Sequence, residues 1–212
     1  MIAIIPARGG STRIPRKNIK LFHGKPIIAY SIETAIESDL FGDVFVSTDN
    51  PDIKEVARKY GAKIVHRPSD LCRDEIGTQE VARHALKATG AEDMVCVLYA
   101  TSPLLTAEEL VMSFEVFKDL GSNYLYSVDI HSNDAGCFYF GEVQAFIDEI
   151  PLEVNSGHII LPNACDINTP EDWKRAEQMF VDLCEHEYEH IQGGMPEMAH
   201  FTCRKCSYIL PT

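Results

Sequence analysis

Residues 2–11 of the chain read IAIIPARGGS, and this stretch decides the fold. Its leading apolar run predicts a buried strand, and the pair Gly9-Gly10 predicts a tight loop directly behind that strand. Glycines let backbone N–H groups approach an anion closely, and neighbouring cations neutralise the anion. The stretch therefore predicts a strand that leads into a phosphate-binding loop.

The charge pattern around this loop supports an anion site. The chain carries 32 Asp+Glu against 19 Lys+Arg, yet no acidic side chain precedes Glu33. A solvated basic face is the alternative interpretation, but the glycine loop and the exclusion of acidic residues favour the anion site. The cations of this segment are Arg8, Arg13, Arg16, Lys17, Lys20 and Lys25.

Further along the chain, short apolar runs alternate with amphipathic stretches. This alternation predicts a mostly parallel sheet covered by helices on both faces, a Rossmann-like α/β fold. Ligands of such sheets bind beyond the carboxyl ends of the strands, so the polar clusters at 8–17, 47–50 and 101–102 should converge there. The predicted strands are 2–5, 43–47, 63–66, 94–99 and 124–129, and the predicted helices are 26–38, 52–60, 78–89, 106–120 and 170–183.

Length and composition exclude several classes of protein. The 212 residues suit one α/β domain, placed at 1–183, and a short appendage at 184–212. No apolar stretch is long enough for a membrane span, and the N-terminus does not resemble a secretory signal, which predicts a cytoplasmic protein. The net charge of −13 argues against general nucleic-acid binding.

Residues 4–18, IIPARGGSTRIPRKN, resemble the signature of the CMP-sugar synthetases that act on nonulosonic acids and Kdo. Other family-like segments follow in order over residues 1–183. The last two of them are most similar to the pseudaminic acid cytidylyltransferase branch. These segments are GKPIIAYSI at 24–32, VSTD at 46–49, RP at 67–68, YATSP at 99–103, DAGCFY at 134–139 and DINTPEDW at 166–173.

The resemblance implies a GT-A-like nucleotidyltransferase that transfers CMP from CTP to an acidic sugar, releases pyrophosphate and requires Mg²⁺. It implies catalytic roles for Arg8, Arg13, Lys17 and Asp166, and Mg²⁺ ligation by Asp166 and Asn168. The implied nucleotide contacts are Ala7, Arg8, Gly9, Gly10, Ser11, Thr12, Lys17, Asn18, Arg67 and Asp74. The implied sugar contacts are Thr101, Ser102, Asp134 and Gly136.

Some of these positions also have a purely structural interpretation. Asp49 suits a helix N-cap before Pro51 as well as it suits a ligand contact. Taken alone, residues 101–103 and 134–136 indicate turns, and only the resemblance gives them a role at the site.

The chain departs from the family pattern at three places. Thr12 stands where the family has a lysine, and Asn168 stands where it has the second carboxylate of Asp-x-Asp. Only residues 129–133 separate Ser127-Val128 from Asp134, whereas relatives insert a few tens of residues there. In the relatives, this inserted segment contributes sugar contacts and the dimerisation element. The alternative function is therefore a catalytically weakened CTP- or CMP-sugar-binding relative with a regulatory or partner-binding role. The acceptor sugar and the oligomeric state stay open.

The C-terminal appendage has a metal-like spacing of residues. His186-x3-His190-x12-Cys203-x2-Cys206 predicts a structural Zn²⁺ site, with the histidines on a helix and Cys184 and His200 as further candidate ligands. An unstructured tail or a redox Cys-x-x-Cys pair are the alternatives. The remaining cysteines are scattered, and we interpret them as packing residues: Cys72, Cys96, Cys137 and Cys165.

Overall fold

The computed structural model describes residues 1–183, 188–191 and 200–203. A seven-stranded sheet dominates it, in the order β5-β4-β1-β6-β8-β7-β9, and two ribbons of two strands accompany it. The strands are β1 Ile2–Pro6, β2 Leu21–Phe22, β3 Lys25–Pro26, β4 Asp43–Thr48, β5 Lys63–His66, β6 Met94–Leu98, β7 Tyr124–Val128, β8 Asp134–Glu142, β9 Ser156–Ile160, β10 Tyr188–Ile191 and β11 His200–Cys203.

The predicted mostly parallel sheet is confirmed. β1 runs parallel to β4 and β6, β4 to β5, and β7 to β9. β8 is the exception, because it lies antiparallel between β6 and β7. The sequence prediction missed β8 and β9, although β8 is buried along its whole length except at its two ends.

Helices cover both faces of the sheet. They are α1 Ile27–Glu37, α2 Pro51–Lys59, α3 Thr78–Thr89, α4 Ala107–Leu120, α5 Val143–Ile147 and α6 Pro170–Leu183. Every predicted helix within residues 1–183 forms. No helix in the described part of the chain is both long and apolar enough to cross a membrane.

The helix ends follow local capping chemistry. Thr106 and Glu109 form the predicted capping box at α4, and the Thr169 hydroxyl accepts the Asp172 N–H at the start of α6. The interpretation of Asp49 as a helix N-cap was wrong. Asn50 is the N-cap of α2, and its side chain accepts the backbone N–H groups of Asp52 and Ile53. The Asp49 carboxylate is thereby left for another partner.

Buried side chains form a core on each face of the sheet and a third cluster beside it. The third cluster packs Ile14 and Phe22 of the basic N-terminal segment against Trp173 of α6 and Ile167. This packing holds residues 166–168 next to the loop that follows β1. Cys96 and Cys137 are buried in the core, as expected of packing residues.

Candidate active site

Of the three predicted polar clusters, only residues 8–17 line a pocket of about 220 Å³, which lies beyond the carboxyl ends of β1, β5 and β6, whereas residues 47–50 and 101–102 lie outside its lining. Nine predicted site residues line it, which are Arg8, Ser11, Thr12, Arg13, Lys17, Asn18, Arg67, Asp74 and Asn168. Residues separated by up to 160 positions in sequence therefore share one cavity.

The loop after β1, residues 7–11, is held by its neighbours through backbone hydrogen bonds. The Ala7 N–H donates to the Ser47 carbonyl at 2.9 Å, and the Asn18 amide donates to the Arg8 carbonyl at 3.0 Å. The Gly9 N–H, expected to hold a phosphate oxygen, instead donates to Asp49 Oδ1 at 3.0 Å. The loop is therefore shaped before any ligand arrives.

Glycine is required at position 9 by close approach. A Cβ added to Gly9 would lie 2.7 Å from the Asn50 side-chain nitrogen, whereas one added to Gly10 would meet nothing within 4 Å. The loop thus docks against the turn between β4 and α2 at Gly9 and leaves Gly10 exposed.

Two of the predicted catalytic cations are held in fixed positions. Arg8 pairs with Asp74, and its Nη1 donates to the Cys72 carbonyl at 3.1 Å. Lys17 Nζ donates to the Ile167 carbonyl at 2.7 Å, and burial lowers the pKa of this ammonium group. Both cations project toward the same cavity from opposite sides of the loop.

Arg67 is a buried cation with unused hydrogen-bonding capacity. Its residue is only 4% exposed, and its Nε has no hydrogen-bond partner among the described residues. Burial lowers the pKa of the guanidinium group, with the nearby Asp49 opposing this shift. Because Arg67 lines the pocket, its guanidinium group is a candidate donor for a bound ligand.

Acidic and amide groups gather on the opposite side. Asn168 Nδ2 donates to Asp166 Oδ2, and Arg13 Nη2 donates to Asn168 Oδ1 at 3.4 Å. Burial raises the pKa of Asp166; the neighbouring Asp134 raises it further, and Lys17 opposes both effects. This carboxylate would be stabilised by an added cation.

Gly136 allows Asp166 to approach β8. Its φ is +58°, and an added Cβ would lie 2.7 Å from Asp166 Oδ1. The Gly136 N–H donates to Asp134 Oδ1 at 2.8 Å, so the two acidic side chains flank one residue.

These contacts place the cations Arg13 and Lys17 directly beside the Asp166–Asn168 pair. A sequence model of the cytidylyltransferase family matches residues 2–136. The chain belongs to the cytidylyltransferase family.

Full-length relatives support this membership. The chain is 35% identical to the pseudaminic acid cytidylyltransferase of Campylobacter jejuni over 84% of this chain and 95% of the relative. It is 28% identical to the CMP-N,N'-diacetyllegionaminic acid synthase of Legionella pneumophila over the same shares of the two chains.

Solved structures support the fold. The structure of CMP:2-keto-3-deoxy-manno-octonic acid synthetase complexed with CTP superimposes with a TM-score of 0.70, covering 86% of this chain and 99% of that one. The two sequences are only 14% identical, so this likeness concerns the fold alone.

In this cytidylyltransferase, the short segment at residues 129–133 forms a tight turn. Asp129 Oδ1 accepts the N–H groups of His131 at 2.8 Å and Asn133 at 2.9 Å, which joins β7 to β8 without further residues. The alignment with the Campylobacter relative spans 221 positions and includes 84% of the 212 residues of this chain, which is about 178 residues. About 43 aligned positions of the relative therefore have no counterpart in this chain.

The predicted sugar contacts lie beside the pocket and outside its lining. Thr101 and Ser102 are 7% and 3% exposed, and the Ser102 hydroxyl donates to the Gly136 and Cys137 carbonyls, both at 3.3 Å. The structure therefore gives Ser102 the role of joining the loop after β6 to β8. Asp134 and Gly136 lie next to Asp166, as described above.

Sequence reasoning missed part of the pocket wall. Arg73, Ile76, Thr78, Val81 and Tyr99 also line the cavity. The first four belong to the loop after β5 and the start of α3, and their position after a parallel strand is the signal that was available. Tyr99 lies directly after β6, and burial raises its pKa.

The described residues contain no group of three or more His, Cys, Asp and Glu side chains that could hold a metal. The predicted zinc ligands His186 and Cys206, and the candidate Cys184, lie outside the described residues. His190 lies on the strand β10, so the prediction that it lies on a helix was wrong, and Cys203 and His200 lie on β11.

Proposed function

We propose that this cytidylyltransferase transfers CMP from CTP to the anomeric hydroxyl of a nonulosonic acid of the pseudaminic or legionaminic type. The observation that carries the proposal is one pocket that is lined by Arg8, Lys17, Arg67 and Asn168 together. The relatives that match over nearly their whole length favour an active enzyme over a weakened binding protein.

The reaction needs charge neutralisation more than covalent catalysis. The anomeric oxygen bonds to the α-phosphorus while the bond from that phosphorus to the bridging oxygen breaks; pyrophosphate leaves with the electron pair, and the proton of the anomeric hydroxyl passes through solvent to the departing pyrophosphate. Arg8, Lys17 and Arg13, which line the pocket, are proposed to neutralise the triphosphate and the leaving group together with the Gly10 and Ser11 amides. Fixed donors of this kind cost no reorganisation during the reaction.

Arg67 is proposed as the contact of the cytosine ring. Its buried Nε lacks a partner among the described residues, and a carbonyl oxygen of the base would satisfy it. Thr78 and Tyr99 lie on the same cavity wall and add a hydroxyl and an aromatic face.

Asp166 and Asn168 are proposed to hold Mg²⁺. Mg²⁺ prefers oxygen ligands and is commonly held by one or two carboxylates together with substrate phosphates. Asp166 fits this role, because its raised pKa shows that an added cation would stabilise its carboxylate; Asn168, whose Nδ2 donates to Asp166 in the unliganded site, has to turn its amide to offer the oxygen. When bound, the ion supplies Lewis-acid stabilisation of the phosphate charge.

The test is product formation with CTP, Mg²⁺ and a panel of acidic sugars: pseudaminic, legionaminic, N-acetylneuraminic and 2-keto-3-deoxy-octonic acids. We expect pyrophosphate release and a CMP-sugar detected by mass spectrometry with at least one nonulosonic acid. CTP binding by calorimetry without turnover on any acceptor would contradict the proposal and favour the weakened relative.

A structural Zn²⁺ site in residues 184–212 stays a separate proposal, supported by the spacing of His186, His190, Cys203 and Cys206. In β10–β11, Tyr188 pairs with Cys203, and His190 pairs with Phe201. The same pairing joins Ile191 to His200, so the backbones of His190 and Cys203 lie in adjacent strands of one ribbon.

Metal analysis of purified protein tests the zinc proposal. We expect about one Zn²⁺ per chain, lost in Cys203→Ser and retained in Cys72→Ser, the matched control at a cysteine outside the motif. Substoichiometric zinc in the unsubstituted chain would overturn it.

We also propose that the enzyme works in the cytoplasm on small molecules, without nucleic-acid or membrane partners. The requirement for CTP and the negative net charge support this. Expression with a fluorescent tag and microscopy of its distribution tests the location.

A further inference from the structure

Asp49 is a half-buried carboxylate that the proposed chemistry does not use. It lies directly after β4, in the turn that leads to α2. Its Oδ1 accepts the Gly9 N–H at 3.0 Å, so an acidic side chain occupies an amide of the loop that is proposed to hold triphosphate. An anion at this place requires a reason, since it carries the same charge as the substrate.

The same carboxylate also interacts electrostatically with Arg67 and Cys72. Its charge acts on the Arg67 guanidinium and on the Cys72 thiol, where it adds to burial in raising the thiol pKa. The backbone N–H of Arg67 donates to the Thr48 carbonyl at 3.1 Å. Residues 48–49 therefore contact both the triphosphate loop and the proposed base-binding arginine.

Close packing reinforces this connection. A Cβ added to Gly9 would lie only 2.7 Å from Asn50 Nδ2, so the loop and the turn fit together only with glycine at position 9. The Asn50 N–H donates to Thr48 Oγ1 at 3.2 Å, and the Asn50 side chain caps α2. The turn is thus fixed to a rigid helix and strand.

We propose that Asp49 is a positioning residue for nucleotide transfer. It holds the Gly9 amide and balances the charge of Arg67, and in this way sets the distance between the triphosphate loop and the base-binding side of the pocket. This inference rests on the proposed function. It assigns Asp49 no contact with the substrate.

CTP affinity, measured by calorimetry, tests the role. Asp49→Ala is expected to weaken CTP binding about 10- to 100-fold, the loss from removing one charge-assisted hydrogen bond. Asp49→Asn keeps an acceptor oxygen for the Gly9 N–H but loses the charge that balances Arg67, so it should weaken CTP binding less than alanine does, by about 3- to 10-fold; it also provides the test if the alanine variant fails to fold. The control is Asp52→Ala, which removes an equal charge from an exposed ion pair with Arg16 and should leave affinity within about twofold.

A double-mutant cycle makes the test specific. Gly9→Ala separates the loop from the turn by a clash with Asn50, so the Gly9→Ala/Asp49→Ala pair should bind CTP no more weakly than Gly9→Ala alone. With turnover, KM for CTP should rise while KM for the acceptor sugar stays constant. Unchanged or tighter CTP binding in Asp49→Ala overturns the inference, as does full additivity.

These outcomes are separable from failure of the proposed function. An enzyme that binds CTP but transfers CMP to no acceptor contradicts the proposed function, and the calorimetric cycle still decides the role of Asp49. An unsubstituted enzyme that binds no CTP overturns both.

Discussion

The two parts of the sheet are built by different rules. Strands β5, β4, β1 and β6 are mutually parallel, each followed by a loop that lines the pocket or anchors its wall. Strands β8, β7 and β9 form the other part, where β8 runs against both of its neighbours. The parallel part supplies cations and backbone amides, and the mixed part positions the acidic groups beside them. The site is complete only where the two parts of the sheet meet.

The largest effect is expected from removing the half-buried lysine of the parallel part. Lys17→Met should lower kcat by about 10² to 10³-fold, because it removes a cation whose Nζ is positioned by the Ile167 carbonyl. Pyrophosphate release measures this. Arg16→Gln, which removes an exposed neighbouring charge, should stay within about twofold, and an equal loss there would contradict a specific role for Lys17.

The mixed part is tested at Asp166, where function and stability should move in opposite directions. Asp166→Asn should lower Mg²⁺-dependent turnover about 100-fold and weaken Mg²⁺ binding measured by calorimetry. The same variant should raise the melting temperature at pH 7, since burial penalises the charged carboxylate.

The pH dependence of this stability gain follows from the raised pKa of Asp166. A carboxyl whose pKa is raised by folding favours the folded state below its unfolded value, near 3.8, and that contribution is lost as the pH rises through the folded pKa. The variant should therefore exceed the unsubstituted enzyme in melting temperature at pH 7 and match it below about pH 3.8. A gain that persists at low pH would contradict burial of the charge as its cause.

Contact between the two parts is tested by Gly136→Ala. The positive φ and the clash with Asp166 predict a loss of about 1–3 kcal/mol in the free energy of unfolding and weaker Mg²⁺ binding. Urea unfolding measures the first effect. Gly77→Ala, where an added Cβ meets nothing within 4 Å, is the control and should change the free energy of unfolding by less than about 1 kcal/mol.

The smallest effect is expected at the turn that closes the mixed part. Hydrogen bonds from Asn133 lower the pKa of Asp129, so Asp129→Ala should lower the melting temperature at pH 7 by roughly 2 °C and leave KM for CTP unchanged. A lowered pKa contributes stability above the unfolded value, which is lost as the pH falls through the folded pKa. The difference in melting temperature should therefore shrink below about pH 3.8, and a constant difference would argue against this cause.

The parallel part was predictable because its signals are local. β5 and α3 have the bounds that periodicity predicts, since Gly61 precedes the strand and Gly90 ends the helix with a positive φ. β8 was missed because an apolar run such as Ala135–Phe140 becomes a strand only when two neighbours supply its hydrogen bonds. Likewise, Arg73 and Val81 become pocket residues only through the path of the chain after β5.

The amino-acid sequence by itself determined the glycine loop after β1, the alternation of strands and helices, and the family, because each depends on neighbouring residues and ordered motifs. Tertiary structure alone decided which partner each group has. It pairs the Gly9 amide with Asp49, buries Arg67 without a partner for its Nε among the described residues, and brings Asp166 against Gly136. The two contacts join residues 40 and 30 positions apart, and only the packing of the sheet brings them within hydrogen-bonding or van der Waals distance.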